Sequence, residues 1–164
     1  MTLREYWTTE PRRHRIVGWS LIVFGLLSIG SLAFRQRVKT AVSSYDSHHG
    51  PARLTDGRQF TFWAPKEDAD GIVAFRLPAR RFVTRVGLLN ARSRYQRKYA
   101  TQEYVIRLYS GDELVTQISG AFDNRLDEPT WVWRTVESED IDRIELELTG
   151  APGHTAGLSE FRYE

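Results

Sequence analysis

The chain has 164 residues, with 23 Lys and Arg against 21 Asp and Glu, for a formal charge of +2. Its hydrophobic share of 41% and charged share of 27% are globular values, which exclude long-range disorder and collagen-like repeats. There are 0 Cys, so a disulfide framework, a thiolate metal site and a cysteine nucleophile are excluded. The near-neutral total hides a partition: residues 1–39 carry +5, 40–70 carry −2, 71–102 carry +8 and 103–164 carry −9. Basic charge therefore sits in two places, one beside an apolar segment and one inside a folded domain. No nucleic-acid partner is expected from that pattern.

Residues 16–34 read IVGWSLIVFGLLSIGSLAF, 19 residues without a charge. At about 1.5 Å per residue the run spans roughly 28 Å, close to the hydrocarbon thickness of a bilayer. A single transmembrane α-helix is expected here, because a buried soluble helix of this length normally shows a polar face. A cleaved signal peptide is the rival reading, with Ser31-Leu32-Ala33 as a small-residue site. The apolar run and the segment before it are both long for that role. Arg4, Arg12, Arg13 and Arg15 precede the run, and Arg35, Arg37 and Lys39 follow it. That excess favours a cytoplasmic N-terminus and a periplasmic or extracellular C-terminal domain, in an inner or cell membrane. Gly18, Gly25 and Ser28 share one face of the helix, where small residues would let another helix approach closely. The expected organisation is a segment 1–15 on the cytoplasmic side, the helix 16–34, a juxtamembrane linker 35–50 and a β domain 51–164.

Beyond residue 40 the hydrophobic period changes. Short β-rich runs occur at 59–64, 72–77, 82–89, 103–110, 113–119, 130–136, 141–148 and 158–163, separated by turn signals. Ser110-Gly111-Asp112 marks a hairpin. Ile144, Leu146 and Leu148 alternate with Glu145 and Glu147, as on a half-buried strand. Eight short strands predict a mainly β fold, an eight-stranded jelly-roll sandwich.

The stretch Leu54-Thr55-Asp56-Gly57-Arg58-Gln59-Phe60-Thr61-Phe62-Trp63 resembles the opening of discoidin-like, galactose-binding-type domains, the coagulation-factor type C-like sandwiches. The ending Leu158-Ser159-Glu160-Phe161-Arg162-Tyr163 is similar to the closing strand of that fold. The strand and turn from Tyr104 to Asp112, after a basic loop, fit the same likeness. The resemblance covers about residues 43–164 and implies a sandwich that binds carbohydrate. It also implies a structural calcium ion in many members, at the positions of Asp56, Thr61 and Glu160. Here Arg58 stands where an acidic residue or Asn is common, and its cation would repel the ion. Arg58 could instead pair with Asp56 or Glu160 and replace the metal as a tie between chain ends, and no cofactor is expected.

Residues that could carry chemistry are sparse. Asp46, Ser47, His48 and His49 contain triad residue types, yet one short run before Gly50-Pro51 reads as a solvated turn. A metal set from Asp46, His48, His49 and His154 has no recognised spacing. No enzyme is expected. The loop 90–99 is more informative, because Arg92, Arg94, Tyr95, Arg97, Lys98 and Tyr99 place four cations and two tyrosines between two strands. Arg offers forked donors to carboxylate or phosphate, and Tyr a flat amphipathic face. The loop could grip an acidic glycan, a lipid head group or an acidic protein, or pair internally with the acidic C-terminal third. Trp131 and Trp133 share one face, as a sugar platform or as core; core is the expectation for both and for Trp63. The leading expectation is a non-enzymatic accessory subunit of a larger membrane complex. The alternative is a membrane-anchored carbohydrate-binding module.

Overall fold

The computed structural model describes residues 38–66, 71–91, 97–124 and 129–164. The expected transmembrane helix, with Gly18, Gly25 and Ser28, lies outside the described residues. Among the described residues there is no α-helix, and no helix long and apolar enough to cross a membrane. The domain is built from β1 (Lys39–Val42), β2 (Gly71–Asn90), β3 (Thr101–Ser110), β4 (Glu113–Ala121), β5 (Trp131–Gly150) and β6 (Leu158–Tyr163). Short 3-10 helices lie at Pro51–Thr55 and Arg97–Tyr99.

Six strands replace the eight expected because β2 and β5 each run 20 residues and join two expected strands apiece. Both bend midway. Pro78 lacks an N–H for the ladder, and the β2–β5 register shifts between Arg76 and Arg81 and again up to Arg85. Opposite this, Glu137 and Asp140 of β5 have positive φ, 43° and 55°. The halves on either side of the bend serve different sheets. The first half of β2 pairs with β1 and the second half of β5, which pairs with β3, and β3 with β4. The second half of β2 lies between the first half of β5 and β6. All pairings between these strands are antiparallel. The result is a five-stranded sheet facing a three-stranded one, eight strand segments in all.

Alternation decides which face is inside. Val73, Phe75 and Leu77 point inward from one half of β2, and Val86 and Leu88 from the other. Ile144, Leu146 and Leu148 of β5 and Tyr104, Ile106 and Leu108 of β3 complete the layer. Phe75 of the larger sheet stacks on Phe161 of β6 with centroids 3.7 Å apart and planes at 7°, so the two sheets interlock at this pair. Residues 59–64 form no strand; instead Trp63 exchanges backbone hydrogen bonds with Leu158 at 2.9 and 3.0 Å. Trp63 is fully buried and donates its indole N–H to the Ser44 carbonyl at 3.1 Å. β1, within the stretch read as linker, was not expected: a four-residue edge strand leaves little period to read.

Trp131 and Trp133 are not core. Their partners across β2 are Leu89 and Gly87, which face away from Val86 and Leu88, so both indoles lie on the outer face of the three-stranded sheet. The rings stack on one another at 5.5 Å, with the Arg162 guanidinium over Trp131 and that of Arg85 over Trp133, each at 4.6 Å. Their faces are thus engaged by each other and by cations, which makes them a brace on the sheet rather than an open sugar platform. Gly87 is required beneath: a Cβ there would sit 2.7 Å from the Trp133 ring. Gly87→Ala should therefore displace Trp133 and cost about 1–3 kcal/mol, read as a lowered midpoint in urea unfolding. An unchanged midpoint would show that the indole does not rest on this backbone.

Candidate functional site

One end of the sandwich gathers the described turn residues 43–66, 97–100, 122–124 and 150–157. The turn at Asp46–His49 is anchored to the core. Asp46 N–H donates to the Ala64 carbonyl at 3.0 Å, and Ala64 N–H to the His49 carbonyl at 3.3 Å. The Asp46 carboxylate accepts the His48 N–H at 2.9 Å, which with nearby His49 holds its pKa below the usual carboxylate value. The run is therefore not a solvated turn throughout. His49 stacks on Phe62 with centroids 4.2 Å apart, and Tyr99 packs against both, at 5.1 Å from His49 and 4.9 Å from Phe62. Phe62 is buried, and the Lys98 ammonium lies 4.8 Å from the Tyr99 ring centre.

The cluster therefore joins two segments that sequence reasoning kept apart, the histidine run and the basic loop. Lys98 is exposed and Tyr99 half-buried. Arg92, Arg94 and Tyr95 lie outside the described residues, as does the Arg97 side chain. Phe60, on the 56–66 segment, is 83% exposed, an unusual cost for a phenyl ring. His49 was weighed beforehand only as a triad or metal residue type, and neither Phe62 nor Phe60 was singled out, because nothing in their spacing shows that residue 99 closes over them. Burial lowers the His49 pKa, and the Asp46 carboxylate at 3.5 Å offsets this only in part. The neutral imidazole is thus the folded form, packed as a ring among rings.

Beneath this end, Asn90 and Thr101 hold the loop bases. The Asn90 amide donates to the Thr101 carbonyl at 2.9 Å and accepts the Thr101 N–H at 3.0 Å. Thr101 Oγ1 donates to the Gly157 carbonyl at 2.7 Å. The expected calcium positions lie close by, and the residues do not fit the ion. Asp56 accepts the Arg58 N–H at 2.8 Å on one oxygen and the Thr61 hydroxyl at 2.7 Å on the other. Glu160 accepts the Gly57 N–H and lies 3.9 Å from the Arg162 guanidinium. Three of these four carboxylate oxygens already accept a hydrogen bond, whereas calcium needs six to eight oxygen ligands. Among the described residues no group of three or more His, Asp or Glu side chains could hold a metal. The tie between the two ends of the domain is thus made by backbone amides and Arg162, not by the Arg58 guanidinium as expected. Positive φ at Gly57, 78°, turns its N–H toward Glu160. Burial raises the Glu160 pKa, while the Gly57 N–H and Arg162 pull it back.

Two outcomes check these contacts. Glu160→Ala should cost about 1–3 kcal/mol by stranding the Gly57 N–H, while Glu160→Gln, which keeps an acceptor, should lose much less; chemical denaturation at neutral pH compares them. For His49, folding favours the uncharged ring, so the unfolded chain binds the extra proton and stability must fall as pH drops through the range below about 6.5. The difference in melting temperature between wild type and His49→Gln should accordingly narrow from about pH 7 to pH 5. A difference independent of pH would sink the assignment of a neutral, packed His49.

No protein-family model matches the sequence, and no curated protein matches it. Solved structures do match in shape. A family 32 carbohydrate-binding module from Clostridium perfringens, solved with galactose, superposes with a TM-score of 0.61 at 16% identity, over 80% of this chain and 96% of that one. The lectin domain of lectinolysin, solved with Lewis b antigen, gives 0.65 at 14% identity, over 80% and 95%. A fucose-binding module from Streptococcus pneumoniae gives 0.60 at 17% identity, over 76% and 89%. The chain folds as these discoidin-like carbohydrate-binding β-sandwiches do.

Proposed function

We propose that the domain is a non-catalytic carbohydrate-binding module whose binding surface is the loop end bearing His49, Tyr99, Lys98 and Phe60. The observation that carries this reading is the aromatic cluster of His49, Phe62 and Tyr99, with a cation over Tyr99, at the loop end of a sandwich of this fold. Aromatic faces pack against the apolar C–H faces of sugars, and a rigid scaffold under variable loops is a common way to build recognition. Two of the similar structures hold galactose and Lewis b antigen and the third is a fucose-binding module, which supports the same class. Lys98, with the cations of 92–97 in the sequence, favours glycans that also carry a carboxylate or sulfate. The competing picture, a subunit packing through Gly18, Gly25 and Ser28, rests on residues outside the described ones, and nothing in the folded domain favours it. The apolar run 16–34 serves in this proposal as a membrane tether for the module.

The full chain, purified in mild detergent, should bind galactosides or fucosides on a glycan array, with sialylated or sulfated forms retained most strongly. Phe60→Ala and Lys98→Ala, both at exposed positions, should weaken that binding about tenfold or more without changing the melting temperature. An array without any binder overturns the proposal. For the tether, alkaline carbonate washing of membranes should leave the chain in the pellet; release into the supernatant would reject it.

A further inference from the structure

The opposite end of the sandwich carries a second charged feature, at the shared bend of β2 and β5. Lys39 of β1 pairs with Arg76 of β2, and Arg76 pairs in turn with Arg143 of β5. Directly opposed residues in an antiparallel ladder share a face, and Arg76 follows the inward Phe75, so all three cations lie on the outer face of the five-stranded sheet. Strands are about 4.8 Å apart, which makes a transverse row of three like charges roughly 10 Å long. Like charges directly opposite one another are destabilising in a sheet. Tyr109 of β3 extends the row, and the Arg143 guanidinium stacks on its ring at 4.0 Å. That contact fixes the plane of Arg143 without neutralising it.

The row borders a cleft of about 350 Å3 formed by residues 76–80 of β2, the Gly111-Asp112 turn and Asp142-Arg143 of β5. Arg80 adds a fourth cation, lying 3.8 Å from the Asp142 carboxylate, which also accepts the Gly111 N–H at 3.2 Å. Asp112, at the tip of the turn, is the other carboxylate lining the cleft. Neither Arg76 nor Arg143 has a carboxylate within 4.0 Å among the described residues. Arg143 Nε is buried and finds no hydrogen-bond acceptor there. Elsewhere on the same sheet face Arg107 meets Glu145 at 3.3 Å and Glu147 at 2.7 Å. On this face the arginine away from the bend is neutralised, and the opposed pair beside the bend is not.

We infer that Lys39, Arg76 and Arg143 form a binding site for the phosphate of an anionic phospholipid headgroup, with Arg80 at its margin. Guanidinium forks match tetrahedral oxyanions, and one phosphate seated between Arg76 and Arg143 would supply the missing acceptor and remove the like-charge opposition. The chain itself argues for lipid over free phosphate. The 19-residue uncharged run ends at Phe34, and only Arg35, Gln36, Arg37 and Val38 separate it from Lys39. A few residues of chain reach at most about 3.5 Å each, so a tether in that run holds this edge of the domain within about 20 Å of the bilayer surface. Basic residues so close to anionic lipid gain on the order of 1 kcal/mol each. The choice of lipid rests on the tether reading; the phosphate chemistry does not.

The test uses the full chain in a zwitterionic detergent, titrated by calorimetry with short-chain phosphatidylglycerol, short-chain phosphatidylcholine and inorganic phosphate. Phosphatidylglycerol should bind about tenfold or more tighter than the other two, weaken steeply with salt, and raise the melting temperature. Arg76→Gln with Arg143→Gln should abolish that binding while melting at the same temperature or higher without lipid, since a repulsive pair is removed. Glycan binding at the other end should be unchanged in the double variant. Equal binding of phosphatidylglycerol and phosphatidylcholine, or full binding by the double variant, overturns the site. Inorganic phosphate binding as tightly as phosphatidylglycerol overturns the lipid assignment, whether or not carbonate washing supports the tether.

Discussion

Two strands of 20 residues, paired side by side and bent at the same place, are the constraint on which this domain depends. A flat pair of that length would expose one face of each strand to water along its whole course. The bend lets one half of each strand face the other half's sheet, so the inward residues of both halves meet in one layer. Pro78 contributes a missing donor and a fixed φ; Glu137 and Asp140 contribute left-handed backbone on the neighbouring strand. Phe75 against Phe161 then closes the sandwich where the two sheets face each other. The strain of two non-glycine residues at positive φ is offset by that burial.

The same bend sets the distribution of charge. At a regular ladder position an arginine on a sheet face finds a carboxylate on the next strand, as Arg107 does with Glu145 and Glu147. At the last regular pair before the register slips, Arg76 instead faces Arg143, with Lys39 on its other side. The irregularity that closes the core thus opens a basic cleft at one end. The loops that connect strands collect at the other end, where an aromatic cluster sits on a firmly bonded base of Asn90 and Thr101. Two surfaces of different chemistry are held apart by the length of the sheets, and can be altered separately.

The start and finish of the domain are joined by hydrogen bonds. Gly57 and Arg58 turn their amides onto Glu160 and Asp56, and Trp63 bridges to Leu158 just above. Backbone donors suit this task because they cannot be lost by titration or chelation. The outer face of the smaller sheet is braced in a comparable way by Trp131, Trp133, Arg85 and Arg162, where flat rings and planar cations stack over a glycine.

Much of this was legible in one dimension. Alternation along Ile144, Leu146 and Leu148 announced a half-buried strand, Ser110-Gly111-Asp112 announced a hairpin, and the segments around Asp56 and Glu160 carried the likeness to the observed sandwich. These are local signals, set by a side-chain period of two and by turn stereochemistry. Other features depend on which strand lies beside which. Trp131 and Trp133 have the composition of core residues, and only the pairing of Trp133 with Gly87 turns them outward. His49 meets Tyr99 because two loops fold to the same end, fifty residues apart in the chain. Arg76 and Arg143 look like ordinary strand cations until the register sets them face to face. The sequence by itself determined the strands, the turns and the sign of charge in each region. Tertiary structure alone decided which rings and which charges became neighbours, because register is a property of paired chains and has no trace in either one separately.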